Sequence, residues 1–201
     1  MRTAIILTGG KGSRMDFTEK ALLELRGKPI IEHIMENLKS TVDEFIIAAR
    51  DEEQGSKLKL DNVKIVYDSV KNFGPIAGIY SGLKASMSKY SFITACDMPC
   101  INHKVVELLF ARAKGYDAAI PFPPEPLHAV YNKKPTLNAA KNAIERRKGA
   151  IMYMVDRLNV NFVPKEAIRE IDPNLNTFIN INRPEDVESL LKSPNSFREK
   201  C

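Results

Sequence analysis

Apolar residues along this chain gather in short runs, and between the runs they return at helical spacing. Ile5-Ile6-Leu7 reads as a buried strand, and so do Phe45–Ala49, Val63–Tyr67 and Phe92–Ala95. Between them, Pro29 suits the first turn of a helix, whose apolar stripe is Ile30, Ile31, Ile34, Met35 and Leu38. Gly74-Pro75 opens a second helix running to about Met87, and a third begins after Asn102 with Val105, Val106, Leu108, Leu109 and Phe110 facing the core. Ala118–Pro121 predicts another strand, closed by a proline-rich turn to Pro126, and Leu127–Tyr131 the next. Helices are expected over 135–147 and 150–158, strands over 161–163 and 178–181, and a last helix over 184–191.

Such alternation implies an α/β fold, a mainly parallel central sheet with helices on both faces. At 201 residues the chain suits one domain, expected over 1–193, with 194–201 as a flexible C-terminal tail. Ligands of such sheets sit beyond the carboxyl ends of the strands. Residues 8–20, Asp68, Cys96-Asp97 and Asn180–Asn182 are the ones expected there.

Composition changes this picture little. Hydrophobic residues make up 44% and charged residues 27%, the balance of an ordinary globular protein. No apolar run approaches the roughly 18–20 residues that a membrane span requires, and Met1-Arg2-Thr3 leads straight into a strand, so no signal peptide and a cytoplasmic location are expected. Three cysteines argue against a disulfide framework. Cys96, Cys100 and His103 have metal-ligand spacing, but no fourth ligand accompanies them.

The net charge of +5 suits an anionic partner. Its clusters, Lys133-Lys134 and Arg146-Arg147-Lys148, fall at helix ends without interleaved aromatics, so nucleic acid is not expected. A polyphosphate ligand explains the sign equally well.

The phosphate chemistry is concentrated in Leu7-Thr8-Gly9-Gly10-Lys11-Gly12-Ser13-Arg14-Met15, with Lys20 close behind. Glycines let backbone N–H groups approach a phosphate, and Arg14 and Lys20 supply charge. The loop is not a Walker A motif, because Gly12 follows Lys11, and it lacks the third glycine of a dinucleotide fingerprint. An ordinary ligand-free turn would hardly gather three glycines with Lys11 and Arg14 ahead of its first acid, Asp16, and Lys20 just after it.

This loop, followed by Leu25-Arg26-Gly27-Lys28-Pro29-Ile30, resembles the signature of nucleotidyltransferases with the Rossmann-like, three-layer fold of sugar-nucleotide pyrophosphorylases. Among them it most resembles the molybdenum cofactor guanylyltransferases, and later motifs extend the likeness over nearly the whole chain. The resemblance implies that Leu7, Thr8, Gly9, Gly10, Lys20, Asp68 and Asp97 bind the nucleotide. It implies Mg²⁺ on Asp97, catalytic roles for Arg14, Lys20 and Asp97, and a pterin side carrying Gly78, Asn180 and Asn182.

Each of these residues also has a plainer structural role open to it. Asp97 follows a strand directly and could hold Mg²⁺ together with substrate phosphates, or cap a helix. Asp68 could accept from guanine or ribose, or close a turn. Gly78, in Gly74-Pro75-Ile76-Ala77-Gly78, costs a helix up to about 1 kcal/mol, and either a ligand or tight helix–sheet packing would account for it. His128 could be a core histidine or a substrate contact. Asn180 and Asn182 would share one face of a strand, and Asn182 could instead cap the helix after it. The chain departs from the family at Ala48-Ala49-Arg50, where an asparagine is usual, and at Asp16, where a glycine is usual.

The expected reaction is transfer of GMP from GTP to the terminal phosphate of molybdopterin, releasing pyrophosphate. That acceptor is already ionised near neutral pH, so no strong base is needed. GTP and molybdopterin are the expected partners, with at most transient contact to other molybdenum-cofactor proteins. CTP as donor, adenosylcobinamide phosphate as acceptor, or a non-catalytic nucleotide sensor are the rivals.

Overall fold

The computed structural model describes residues 1–9, 20–71, 73–182 and 184–191. The glycine-rich loop from Gly10, with Arg14 and Asp16, and the expected tail over 194–201 lie outside the described residues.

Strand β1 (Thr3–Leu7) is the axis of the fold, because it is buried at every position. It pairs in parallel with β4 (Glu44–Ala49) on one side and β6 (Tyr90–Ala95) on the other. The short hairpin β2 (Glu24–Leu25) and β3 (Lys28–Pro29) stands apart from this sheet. Beyond β4 lies β5 (Lys64–Tyr67), and beyond β6 come β8 (His128–Asn132), β7 (Ala118–Phe122) and β9 (Val160–Pro164). The seven-stranded order is therefore β5-β4-β1-β6-β8-β7-β9. All pairings are parallel except those of β8, which runs antiparallel to both neighbours. Two-residue periodicity sends alternate side chains of β1 to opposite cores. Ala4 and Ile6 join α1 (Ile30–Leu38), α4 (His103–Arg112) and α8 (Pro184–Leu191). Ile5 and Leu7 join α3 (Pro75–Ala85), α5 (Lys133–Glu145) and α6 (Ile151–Val155) on the other face. Helix α3 comes so close to β1 that a Cβ on Gly82 would lie 2.5 Å from Ile5 Cγ2.

Two short helices were not legible as elements in the sequence: α2 (Glu52–Lys57), which Asp51 caps by accepting from the Gln54 N–H, and α7 (Lys165–Arg169). The expected helix over 150–158 shrinks to Ile151–Val155, and α3 stops at Ala85 because Ser86 turns extended. The expected strand over 178–181 does not form. Leu175 takes a left-handed conformation, a 3₁₀ turn covers Asn176–Phe178, and Ile181 N–H donates to the Asp97 carbonyl at 2.8 Å. Among the described residues no strand lies alongside this segment to pair with it, so Asn180 and Asn182 do not line a common strand face. Cys96 is buried, and Cys100 is disulfide-bonded, a cross-link the cysteine count did not lead us to expect.

Candidate active site

The carboxyl ends of β1, β4, β5 and β6 converge on one edge, and two groups of side chains form there. The first is built on β6. Asp97 follows the strand by two residues, and its neighbour Cys96 donates its N–H to the Leu7 carbonyl, which ties the turn to β1. Lys20 Nζ lies 3.3 Å from Asp97 Oδ2 and donates to Asn182 Oδ1 at 3.1 Å. Their side chains are 27% and 20% exposed for Lys20 and Asp97, so the pair is half-buried and open to a ligand. Asn182 N–H donates to Asp186 Oδ2, which pins it at the start of α8. Asn180 is not brought to this group; its amide donates to Phe178 O at 3.4 Å.

The second group surrounds Asp68 at the end of β5. Asp68 N–H continues the sheet by donating to Ala49 O, and the carboxylate turns toward β1. A Cβ on Gly9 would meet Asp68 Oδ2 at 3.4 Å, and one on Gly78 would meet Asp68 Oδ1 at 3.4 Å and Leu7 Cδ2 at 3.1 Å. Gly78 thus belongs with the Asp68 group. Asp68 Oδ1 is buried and has no hydrogen-bond partner among the described residues. Burial pushes this carboxyl up to about 6, against the opposing pull of the Arg50 cation. A half-buried acceptor of this kind is poised for a donor from outside.

Beneath both groups, Thr8 donates N–H and Oγ1–H to the Ala48 carbonyl. Its own carbonyl accepts from Gln54 Nε2 at 2.9 Å, and Gln54 Oε1 accepts from Arg50 N–H at 2.7 Å. The sequence reading missed Gln54. Asp51-Glu52-Glu53-Gln54 has the spacing of a helix-capping box, which is the signal that could have found it.

His128 is fully buried, edge-on to Phe92 and Phe178, with Nε2 3.1 Å from Thr177 Oγ1. Burial holds its imidazole down at about 3, so it is a neutral histidine of the core. Among the described residues no cluster of three or more His, Cys, Asp or Glu could hold a metal, which leaves Cys96, Cys100 and His103 without a common site. None of the described helices is long and apolar enough to cross a membrane.

A strand-end carboxylate facing a lysine, on a mainly parallel sheet whose first strand leads into a glycine-rich sequence, defines a nucleotide-handling α/β protein. The profile of the MobA-like NTP transferase domain matches residues 4–159, and the chain belongs to this family of nucleotidyltransferases. A Methanosarcina mazei protein named "Probable molybdenum cofactor guanylyltransferase" is 46% identical, across 94% of this chain and 90% of its own. A Natronomonas pharaonis protein of the same name is 32% identical, across 93% and 95%. The crystal structure of molybdopterin-guanine dinucleotide biosynthesis protein A from Archaeoglobus fulgidus superposes with a TM-score of 0.83 at 32% identity, over 98% of this chain and all of that one. Nucleotidyltransferases of this family generally use a divalent metal.

Proposed function

We propose that the chain transfers GMP from GTP to the terminal phosphate of molybdopterin and releases pyrophosphate. The observation that carries this reading is the Lys20 ammonium held between Asp97 and Asn182, at the strand edge where the nucleotide loop begins. In the reaction an acceptor phosphate oxygen attacks the α-phosphorus, the bond to the β-phosphate oxygen breaks, and pyrophosphate leaves with the electron pair. The acceptor enters ionised, so no proton has to be removed.

The chain's contribution is then orientation and charge compensation. Lys20 and Arg14 offset the phosphate charge, and the backbone from Leu7 through Gly10 contacts the nucleotide. Asp68 accepts from the base or ribose, with Gly9 beside it; Gly78, whose missing Cβ makes room for Leu7 and for Asp68 itself, we move from the pterin side to the nucleotide side. Asn182 marks the acceptor side, and Asn180 has its exposed amide nearby in sequence only.

Asp97 suits Mg²⁺, since one strand-end carboxylate open to water is enough when phosphates supply further oxygens. Bound there, the ion would neutralise charge on the phosphates. A cytoplasmic setting fits both small-molecule substrates.

The test is pyrophosphate release from GTP, CTP, ATP and UTP with Mg²⁺, with and without molybdopterin. Release confined to GTP plus the pterin is expected, together with its loss in Asp97→Ala. Turnover with CTP, or with adenosylcobinamide phosphate in place of the pterin, would reassign the donor or the acceptor. Silence with every pair would leave only a nucleotide sensor.

A further inference from the structure

Gln54 lies at a place where regular pairing should continue. In a parallel ladder, one residue donates to one strand partner and accepts from the residue two further along it. Thr8 N–H donates to Ala48 O, so the next bond would run from Arg50 N–H to Thr8 O. Instead the primary amide of Gln54 occupies that step. Its Nε2 donates to Thr8 O at 2.9 Å, and its Oε1 accepts from Arg50 N–H at 2.7 Å. The amide stands in for a peptide group and holds the ends of β1 and β4 one side chain apart.

The insertion is built, not incidental. Gln54 is 1% exposed, and its backbone is fixed by the Asp51 cap at 2.9 Å. A Cβ on Gly55, the next residue, would meet the Tyr67 ring at 2.7 Å, so α2 is packed hard against the end of β5. Beside the inserted amide, Gly9, Arg50 and Asp68 come close together: a Cβ on Gly9 would lie 3.5 Å from Arg50 N and 3.4 Å from Asp68 Oδ2.

The geometry points to Gln54 as a positioning residue that sets the width of the nucleotide crevice by replacing a ladder hydrogen bond with its side-chain amide. It touches no reacting atom. It places the Thr8–Gly9 backbone against Asp68 before the nucleotide arrives. This inference rests on the reading of Gly9 and Asp68 as nucleotide-binding.

The experiment compares GTP affinity by calorimetry with Mg²⁺, steady-state kinetics, and hydrogen exchange at the Arg50 amide in wild type, Gln54→Met and Asp68→Ala. Methionine keeps the length and loses both hydrogen bonds. The expected result for Gln54→Met is about a tenfold weaker GTP affinity, kcat within threefold, an unchanged KM for molybdopterin, and lost protection at Arg50. GTP affinity within twofold of wild type overturns the inference.

If Gln54→Met does not fold, Gln54→Glu serves. Its carboxyl accepts from Arg50 but donates to Thr8 only when protonated, so its GTP affinity relative to wild type should fall as pH rises. A flat ratio equal to one overturns the inference. Wild-type protein that does not bind GTP, or an Asp68→Ala variant that binds it normally, removes the nucleotide-site reading itself, and the inference with it. Loss in Asp68→Ala with normal binding in Gln54→Met removes the inference alone.

Discussion

The two ends of the central sheet handle their polar groups in opposite ways. At the amino end, Thr3 Oγ1 donates to Glu44 Oε2 at 2.7 Å, accepts from Ser86 Oγ at 3.0 Å and pairs with Ser88 Oγ at 2.7 Å. Ser86 in turn pairs with Ser91, and Lys133 Nζ donates to the Ser86 carbonyl. This buried network joins the starts of β1, β4 and β6, and its hydroxyls have partners within the chain. At the carboxyl end Asp68 keeps a buried oxygen without a partner among the described residues, and one lysine is shared between an aspartate and an asparagine. Satisfied polar groups lock a fold, while unsatisfied ones cost stability and wait for a ligand. The difference separates the end that holds the fold from the end where we propose the chemistry takes place.

The largest effect should come from the chemical end. Asp97→Ala is expected to cut pyrophosphate release by about 100-fold or more while leaving the urea midpoint close to wild type. A variant that loses stability and keeps turnover would make Asp97 part of the scaffold.

Next in size is the opposite case. Thr3→Val removes the centre of the hydroxyl network and should destabilise by about 2 kcal/mol in urea unfolding, with GTP affinity unchanged. A change in affinity would mean that the two ends are coupled.

Asp68→Asn should do the reverse of Thr3→Val, weakening GTP binding and stabilising the free protein at pH 7.5. The folded carboxyl, raised to about 6 from an ordinary 3.8, favours the fold when protonated, and that contribution disappears as pH rises through about 6. Partial exposure screens the ionised group, so the gain should be about 1 kcal/mol.

The smallest signal is a pH profile. Donors on the nucleotide favour the ionised carboxylate, so wild-type GTP affinity should strengthen as pH rises through about 6 and then level off. Asp68→Asn should flatten that rise in calorimetric titrations. If the profile survives the substitution, another group is titrating.

Much of this molecule was legible before its structure. Ile5-Ile6-Leu7, Phe45–Ala49 and Phe92–Ala95 stood out because parallel strands covered on both faces must be apolar throughout. The glycine-rich loop and Asp97 stood out because they follow such strands directly. What was hidden depends on pairing between distant residues. Lys20 meets partners 77 and 162 positions away, and nothing local announces such a meeting. Phe178–Ile181 is apolar enough for a strand, yet among the described residues no strand runs beside it, and the Ile181 N–H goes to the turn carbonyl of Asp97 instead. His128 and Asp68 are ordinary residues in the sequence, and only burial moves one down to about 3 and the other up to about 6.

The sequence by itself determined the main strands of the sheet and the layers around it, since hydrophobic period is a property of contiguous residues. Tertiary structure alone decided the reversed strand β8, the Gln54 amide between two strand ends, and the unpartnered oxygen of Asp68. Each of these is a question of which polar group finds a partner, and only the folded chain brings the partners within reach or keeps them apart.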